Sequence, residues 1–78
     1  MIALGIDCGT QGLKTVALDH DSGEILASAS RSYGLIGGLA PGHLEQDPET
    51  WWTALEATVR EVLAALGSRR REVAAIGV

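Results

Sequence analysis

The sequence predicts an α/β domain whose elements follow the order strand, strand, strand, helix, strand. Short apolar segments lie between clusters of turn-forming residues, which is typical of strands. One later segment has apolar residues at helical spacing behind a strong helix-start signal. The run 73–78 (VAAIGV) then returns to a continuous apolar pattern, which favours a final buried strand.

The first two predicted strands flank a glycine-containing turn. Residues 2–6 (IALGI) form a continuous apolar run, which fits a strand buried on both faces. Residues 14–18 (KTVAL) carry β-branched side chains in their middle, and we predict the second strand there. Gly9 and Gly12 bracket the segment between the strands, a composition that indicates a tight turn.

A second turn and a long loop frame the third strand. Residues 19–23 (DHDSG) end in Gly23, which is available for a positive φ. Residues 24–33 continue as a serine-rich strand that we expect to be partly exposed. Residues 34–46 are rich in glycine and predict a connection longer than most, the kind that is often functional or lies against another segment.

The helix begins at a capping signal and ends at a glycine. Asp47 can accept hydrogen bonds from free amides as the N-cap, and Pro48 suits the first helical position because its missing N–H costs little there. Gly67 is the expected stop. Five apolar residues at helical spacing predict a core-facing stripe: Trp52, Leu55, Val59, Val62 and Leu66.

Composition excludes several classes of protein. The chain has 78 residues and a formal net charge of −4, so it lacks the general basic surface of a nucleic-acid-binding protein. The basic run 69–71 is too short to change this. One cysteine cannot build an internal disulfide scaffold, and Cys8 is interpreted as a buried small hydrophobe. Because no apolar run is long enough to span a membrane and no signal peptide is recognisable, we expect a cytoplasmic protein.

The segment 7–14 (DCGTQGLK) carries the chemistry. Glycines let backbone amides approach an anion closely, and Lys14 can neutralise a phosphate as a point charge. Asp7 can hold Mg²⁺ directly or through water. These are the parts needed to position and screen a polyphosphate, although the spacing is neither a Walker A loop nor a dinucleotide fingerprint. A plain hairpin with surface charges is the structural alternative.

The same segment resembles the first phosphate motif of the actin-like ATPase superfamily, which includes sugar kinases, actin and heat-shock chaperone ATPases. Residues 19–26 (DHDSGEIL) resemble the second hairpin of the FGGY carbohydrate kinases. Residues 41–52 (PGHLEQDPETWW) resemble the stretch before the first helix of that family, and residues 74–78 (AAIGV) also match. The EQDP run followed by paired tryptophans is most similar to the xylulokinase branch.

The resemblance implies a partial ribonuclease H-like domain and a phosphotransferase with an alcohol group as acceptor. ATP and Mg²⁺ would be the cofactors, and D-xylulose the expected acceptor of the γ-phosphoryl group. Asp7 would be the Mg²⁺-associated acid. The phosphates of ATP would be bound by Gly9, Thr10, Gln11, Gly12 and Lys14.

The resemblance also implies that residues 1–78 are the N-terminal, incomplete part of the first kinase domain. In the family the sugar-contacting segment, the catalytic base and the adenosine motif all follow the strand that ends at Val78. We therefore expect the isolated chain not to phosphorylate sugar. Glycerol, ribulose, rhamnulose or gluconate stay open as acceptors. A non-catalytic nucleotide- or partner-binding protein also stays open, with the last strand as a pairing surface and a homodimer as one assembly.

Several residues near the helix start have a functional and a structural interpretation. Glu45 and Asp47 could form a carboxylate pair, but a helix cap explains Asp47 better. His43 lacks a recognisable catalytic partner and is interpreted as a loop residue. Trp51 and Trp52 could stack on a sugar, but a tryptophan at helical spacing more often belongs to the core.

Overall fold

A computed structural model of the chain describes residues 1–9, 11–33 and 48–78. Its elements are β1 (Ile2–Cys8), β2 (Gly12–Asp19), β3 (Ile25–Ser32), α1 (Pro48–Leu66), a short 3₁₀ helix (Gly67–Glu72) and β4 (Val73–Gly77). The predicted α/β class and the predicted order of the strands and the helix are confirmed. The predicted loop 34–46, including His43 and Glu45, and the predicted cap Asp47 lie outside the described residues.

The strands form one sheet in the order β3-β2-β1-β4. β1 and β2 pair antiparallel, as do β2 and β3, whereas β4 pairs parallel to β1 after the chain has passed through α1. This arrangement is consistent with the ribonuclease H-like fold that the resemblance implies. Because β1 and β4 run in the same direction, their carboxyl ends meet at one edge of the sheet, where ligands of open α/β sheets bind.

The core lies between α1 and one face of the sheet. Side chains alternate between the two faces along each strand, so every second residue of β1 and β2 points at the helix. The buried apolar residues of this layer are Ile2, Leu4, Ala17, Ala29, Val62 and Leu66. Thr15 and Thr58 are fully buried in the same layer, and their hydroxyl oxygens lie 2.9 Å apart. We call this side of the sheet the helix face and the other side the open face.

Four predictions of burial are wrong for the described residues, those for Cys8, Trp52, β4 and β1. Cys8 is exposed, Trp52 is 68% exposed, and β4 exposes most of its length, including Ile76. β1 is covered by α1 on one side only. The physical reason is shared: β4 is an edge strand, and α1 reaches only part of the sheet. An apolar pattern in the sequence indicates which residues favour burial, but it does not show which other segment packs on them.

Local predictions at the turns and in the helix are confirmed. Gly23 and Gly67 have φ of +74° and +59°, the left-handed conformation that favours glycine. Glu56 and Arg60 form an ion pair four residues apart on α1, a spacing that brings two side chains together on one helix face, with a separation of 3.0 Å. Among residues 48–66, as in the rest of the described chain, no helix is both long and apolar enough to cross a membrane.

Candidate functional site

Asp7 and Lys14 lie directly opposite each other on β1 and β2. Opposite residues of an antiparallel pair project from the same face, so both side chains stand on the open face. Both residues are exposed. A carboxylate and an ammonium therefore stand side by side at the carboxyl end of β1, next to the turn that the sequence indicated.

A groove of about 490 Å³ runs beside this pair. Its floor is bare backbone, because Gly5 of β1 and Gly77 of β4 are register partners. A Cβ at Gly5 would lie 3.3 Å from the side chain of Val16, whereas a Cβ at Gly77 would meet nothing within 4 Å. A glycine floor lets a ligand approach the backbone closely. The groove is lined by Gly5, Ile6, Asp7, Lys14, Val16, Gly77 and Val78.

The turn between β1 and β2 is closed by a hydrogen bond from the Gly9 amide to the Gly12 carbonyl oxygen, at 2.9 Å. Neither glycine has a positive φ. Gly12 is needed for a different reason: a Cβ there would lie 2.9 Å from the carbonyl oxygen of Arg31 on β3. The close approach at Gly12 is thus an approach of β3 to β2, while Gly9 has room for a Cβ.

Tyr33, the residue after β3, holds this turn from outside. Its backbone amide donates to the carbonyl oxygen of Gln11 at 2.9 Å, and its hydroxyl donates to the carbonyl oxygen of Gly9 at 2.6 Å. Its hydroxyl oxygen also lies 3.4 Å from Cys8 Sγ. The Cys8 side chain, a second acidic group beside the phenol, raises the pKa of Tyr33 to about 12 together with burial, so the phenol keeps its proton near neutral pH and can donate it.

The side chains that the structure describes at this edge are too few to hold a metal ion by themselves, but they fit a magnesium ion that also has water and phosphate ligands. Within the described parts of the chain, no group of three or more His, Cys, Asp or Glu side chains could hold a metal. Asp7 is a single exposed carboxylate with open space beside it. Mg²⁺ commonly keeps several waters and takes one or two carboxylates together with substrate phosphates, which one such side chain can provide.

The structure brings most of the predicted site residues to one corner of the sheet. Asp7 and Lys14 face each other, Gln11 is exposed in the turn, and Gly9 and Gly12 close it. Thr10 lies outside the described residues. The sequence interpretation missed two features, Tyr33 and the Gly5–Gly77 floor. The only sequence signal for either was the presence of glycine in two apolar strands, which favours close backbone approach.

Known carbohydrate kinases are similar to this chain over almost all of its length. The family model described as the FGGY family of carbohydrate kinases, N-terminal domain, matches residues 2–78. A glycerol kinase of Vibrio atlanticus is 37% identical over 75 residues, covering 96% of this chain and 14% of the relative. A xylulose kinase of Streptomyces coelicolor is 32% identical over 77 residues, covering 99% of this chain and 15% of the relative. A xylulose kinase of Escherichia coli K12 is 34% identical over 77 residues, covering 96% and 15%. The chain thus spans about a seventh of the length of these relatives.

Proposed function

Because the chain belongs to the FGGY family of carbohydrate kinases, we propose that its β1–β2 turn binds the phosphates of ATP in a kinase acting on a sugar or polyol. The observation that carries the proposal is the opposition of Asp7 and Lys14 across β1 and β2, beside the turn and the glycine-floored groove. Residues 1–78 would form the N-terminal part of the first kinase domain, and the groups that bind adenosine and accept the hydroxyl proton would come from elsewhere in the kinase.

The proposed roles follow from charge and position. Lys14 neutralises phosphate oxygens as a point charge, and the backbone of Gly9, Gln11 and Gly12 lies along the phosphates. Thr10 is proposed to join them, as the resemblance implies. Asp7 would hold Mg²⁺, directly or through its waters; when bound, that ion screens the charge of the transferred phosphoryl group. Phosphoryl transfer depends mainly on positioning and electrostatic stabilisation, and this corner of the sheet supplies both.

We propose D-xylulose as the acceptor, with glycerol as the second candidate. The EQDP run and paired tryptophans favour the first, while two kinds of relative support both: xylulose kinases at 32% and 34% identity and a glycerol kinase at 37%. Ribulose, rhamnulose and gluconate complete the set to be tested. The groove beside Asp7 does not by itself discriminate among these polyhydroxy acceptors.

The test uses the complete gene product with ATP, Mg²⁺ and this panel of acceptors, with ADP release as the measure of turnover. We expect Asp7→Asn to lower kcat by about a hundredfold or more, the scale of losing one group that stabilises transition-state charge. The change preserves size and removes only the charge, so the melting temperature should move little.

Asp21→Asn is the matched control. Asp21 is an exposed carboxylate in the other hairpin turn, where it pairs with the amino terminus at 3.1 Å. Its replacement should leave turnover unchanged. Equal turnover of Asp7→Asn and the unmodified protein would remove Asp7 from the mechanism. ADP release with none of the acceptors would contradict the kinase proposal.

A further inference from the structure

Tyr33 is the residue that joins the turn to the rest of the domain. Its hydrogen-bond partners lie 22 to 25 positions away in the sequence, and they include the carbonyl oxygens of Gly9 and Gln11 on both sides of the turn. Only 8% of its surface is exposed. A buried residue with two directional hydrogen bonds to one turn, one from its hydroxyl and one from its backbone amide, restricts the conformations that the turn can adopt.

The direction of each contact follows from the number of protons available. A phenol carries one proton, and a carbonyl oxygen can only accept, so the Tyr33 hydroxyl proton is used on Gly9. The thiol of Cys8 must then be the donor toward the phenol oxygen, at 3.4 Å. The strong contact is the one to Gly9, at 2.6 Å, and the thiol contact is secondary.

The ring of Tyr33 is anchored on the helix face. It packs with Leu13 of β2 and Ala54 of α1, and partly buried Ile6 and Leu55 border the same cluster. Leu13 and Lys14 are neighbours on a strand, so they project to opposite faces. The hydroxyl therefore reaches the turn from the side opposite to the charged pair.

This placement orients backbone dipoles at the turn. The peptide unit is planar, so fixing the Gly9 carbonyl fixes the whole unit that leads into the turn. A carbonyl drawn toward the helix face presents its negative end away from Asp7 and Lys14. A carbonyl free to rotate could face a bound phosphate and repel it. Holding the dipole before the ligand arrives is preorganisation, which avoids a reorganisation cost on binding.

We propose that Tyr33 is a positioning residue for the phosphate-binding turn, acting through its hydroxyl on the Gly9 carbonyl. The proposal rests on the proposed function, since it assigns Tyr33 to the same turn. In this role Tyr33 acts on the turn and does not itself contact ATP. The consequence is specific: loss of the hydroxyl should weaken the use of ATP without changing the use of the acceptor.

Tyr33→Phe tests this in the complete gene product, because it keeps the ring in its cluster and removes only the hydroxyl. We expect kcat/KM for ATP to fall about three- to tenfold, the scale of one neutral hydrogen bond. KM for the acceptor should stay the same. Hydrogen exchange should become faster in peptides covering residues 8–14 and stay unchanged in those covering residues 19–24.

Thr15→Val is the matched control, because it also removes one buried hydroxyl contact from the same sheet. Thr15 Oγ1 lies 2.9 Å from Thr58 Oγ1, whose other contacts are the Ala54 and Leu55 carbonyl oxygens of α1, so this hydroxyl cluster bonds to the helix and not to the turn. This variant should keep the kinetic constants for ATP. Unchanged ATP kinetics in Tyr33→Phe would overturn the proposal. So would an equal loss for ATP and acceptor that Thr15→Val reproduces, because that result would mark a stability effect only.

Failure of the proposed function has a different signature. An unmodified protein that releases no ADP with any acceptor would overturn the kinase assignment and, with it, the role of Tyr33 in ATP use. Faster exchange confined to residues 8–14 in Tyr33→Phe would still support its hold on the turn. Unchanged exchange there would overturn that hold as well.

Discussion

The two hairpin turns of the sheet are stabilised in different ways. The turn between β2 and β3 is held by bonds among its own residues: the amides of Asp19 and Gly23 donate to carbonyl oxygens within the turn, both at 2.8 Å. Its side chains add two more bonds, from the Asp21 amide to Asp19 Oδ1 at 3.0 Å and from the Glu24 amide to Ser22 Oγ at 3.2 Å. These four hydrogen bonds lie within residues 19–24. Contacts from outside add to them: the His20 amide donates to the Met1 carbonyl oxygen at 2.9 Å, and Asp21 and Asp19 form ion pairs with the amino terminus and Arg69.

The turn between β1 and β2 depends on distant residues. Among the described residues it has one backbone bond of its own, from Gly9 to Gly12. Tyr33 supplies the other bonds, and the backbone of Arg31 limits the space at Gly12. A turn of this kind keeps its shape only while β3 and α1 are packed in place. The proposed phosphate site is therefore a property of the folded domain rather than of the segment 7–14.

The largest expected difference is between two alanine variants of the β1–β2 turn, Gly12→Ala and Gly9→Ala. A Cβ at Gly12 would meet the Arg31 carbonyl oxygen at 2.9 Å, and backbone cannot move aside cheaply. A Cβ at Gly9 would meet the Gly12 oxygen at 3.5 Å, an ordinary contact, and Gly9 has no positive φ. We expect Gly12→Ala to destabilise the hairpin by about 1–3 kcal/mol and Gly9→Ala to change it by less than about 0.5 kcal/mol.

Hydrogen exchange of peptides covering residues 8–14 measures this difference as a free energy of local opening. The unmodified protein and both variants are compared under the same conditions. Similar exchange in the two alanine variants would contradict the interpretation that β3, rather than the turn itself, requires glycine at position 12.

The same contrast explains which parts of the fold the sequence predicts. The β2–β3 turn has its signals in place: Asp19 and Ser22 as acceptors and Gly23 for the positive φ. The strands and the helix likewise follow from local periodicity and turn composition. The opposition of Asp7 and Lys14 also follows locally, because a short turn between two antiparallel strands determines their register.

The missed features all depend on pairing between distant segments. The Gly5–Gly77 floor depends on the parallel register of β1 and β4, and no local pattern encodes that register. The role of Tyr33 depends on contacts 24 and 25 positions away. Trp52 was expected in the core because periodicity reports which residues are apolar, but not how far the sheet extends beneath the helix.

A smaller effect is expected at the locally encoded turn. Gly23 has φ of +74°, and a Cβ there would meet nothing within 4 Å, so the cost of Gly23→Ala is purely conformational. We expect a loss of about 1 kcal/mol, the lower end for an L-residue in the left-handed region. Gly23→Asn should cost less, because asparagine tolerates this conformation.

Exchange in residues 19–24 reports the loss, and exchange in residues 8–14 should not change. A disturbance that spreads to the β1–β2 turn would contradict the separation of the two turns. Equal effects of the alanine and asparagine variants would contradict a conformational origin of the loss.

The smallest effect is electrostatic and belongs to Asp19. The amide of Asp21 holds the pKa of Asp19 below its ordinary value of 3.8, and Arg69, 3.3 Å from Asp19 Oδ2, adds to this. A folded-state pKa below the unfolded one means that ionised Asp19 stabilises the fold above pH 3.8. This contribution is lost as the pH falls from 3.8 through the lowered pKa.

Asp19→Asn keeps an oxygen for the Asp21 amide and removes the charge, so it isolates the titrating part of the interaction. The unmodified protein should melt slightly above this variant at pH 6, and the gap should narrow below pH 3.8. Ser22→Ala removes an acceptor that does not titrate, so its gap should be the same at both pH values. A gap for Asp19→Asn that stays constant with pH would show that the charge contributes nothing. The hydrogen bonds of the β2–β3 turn would then hold it without any contribution from the charge of Asp19. The two turns would differ only in how far apart in the sequence their bonded residues lie.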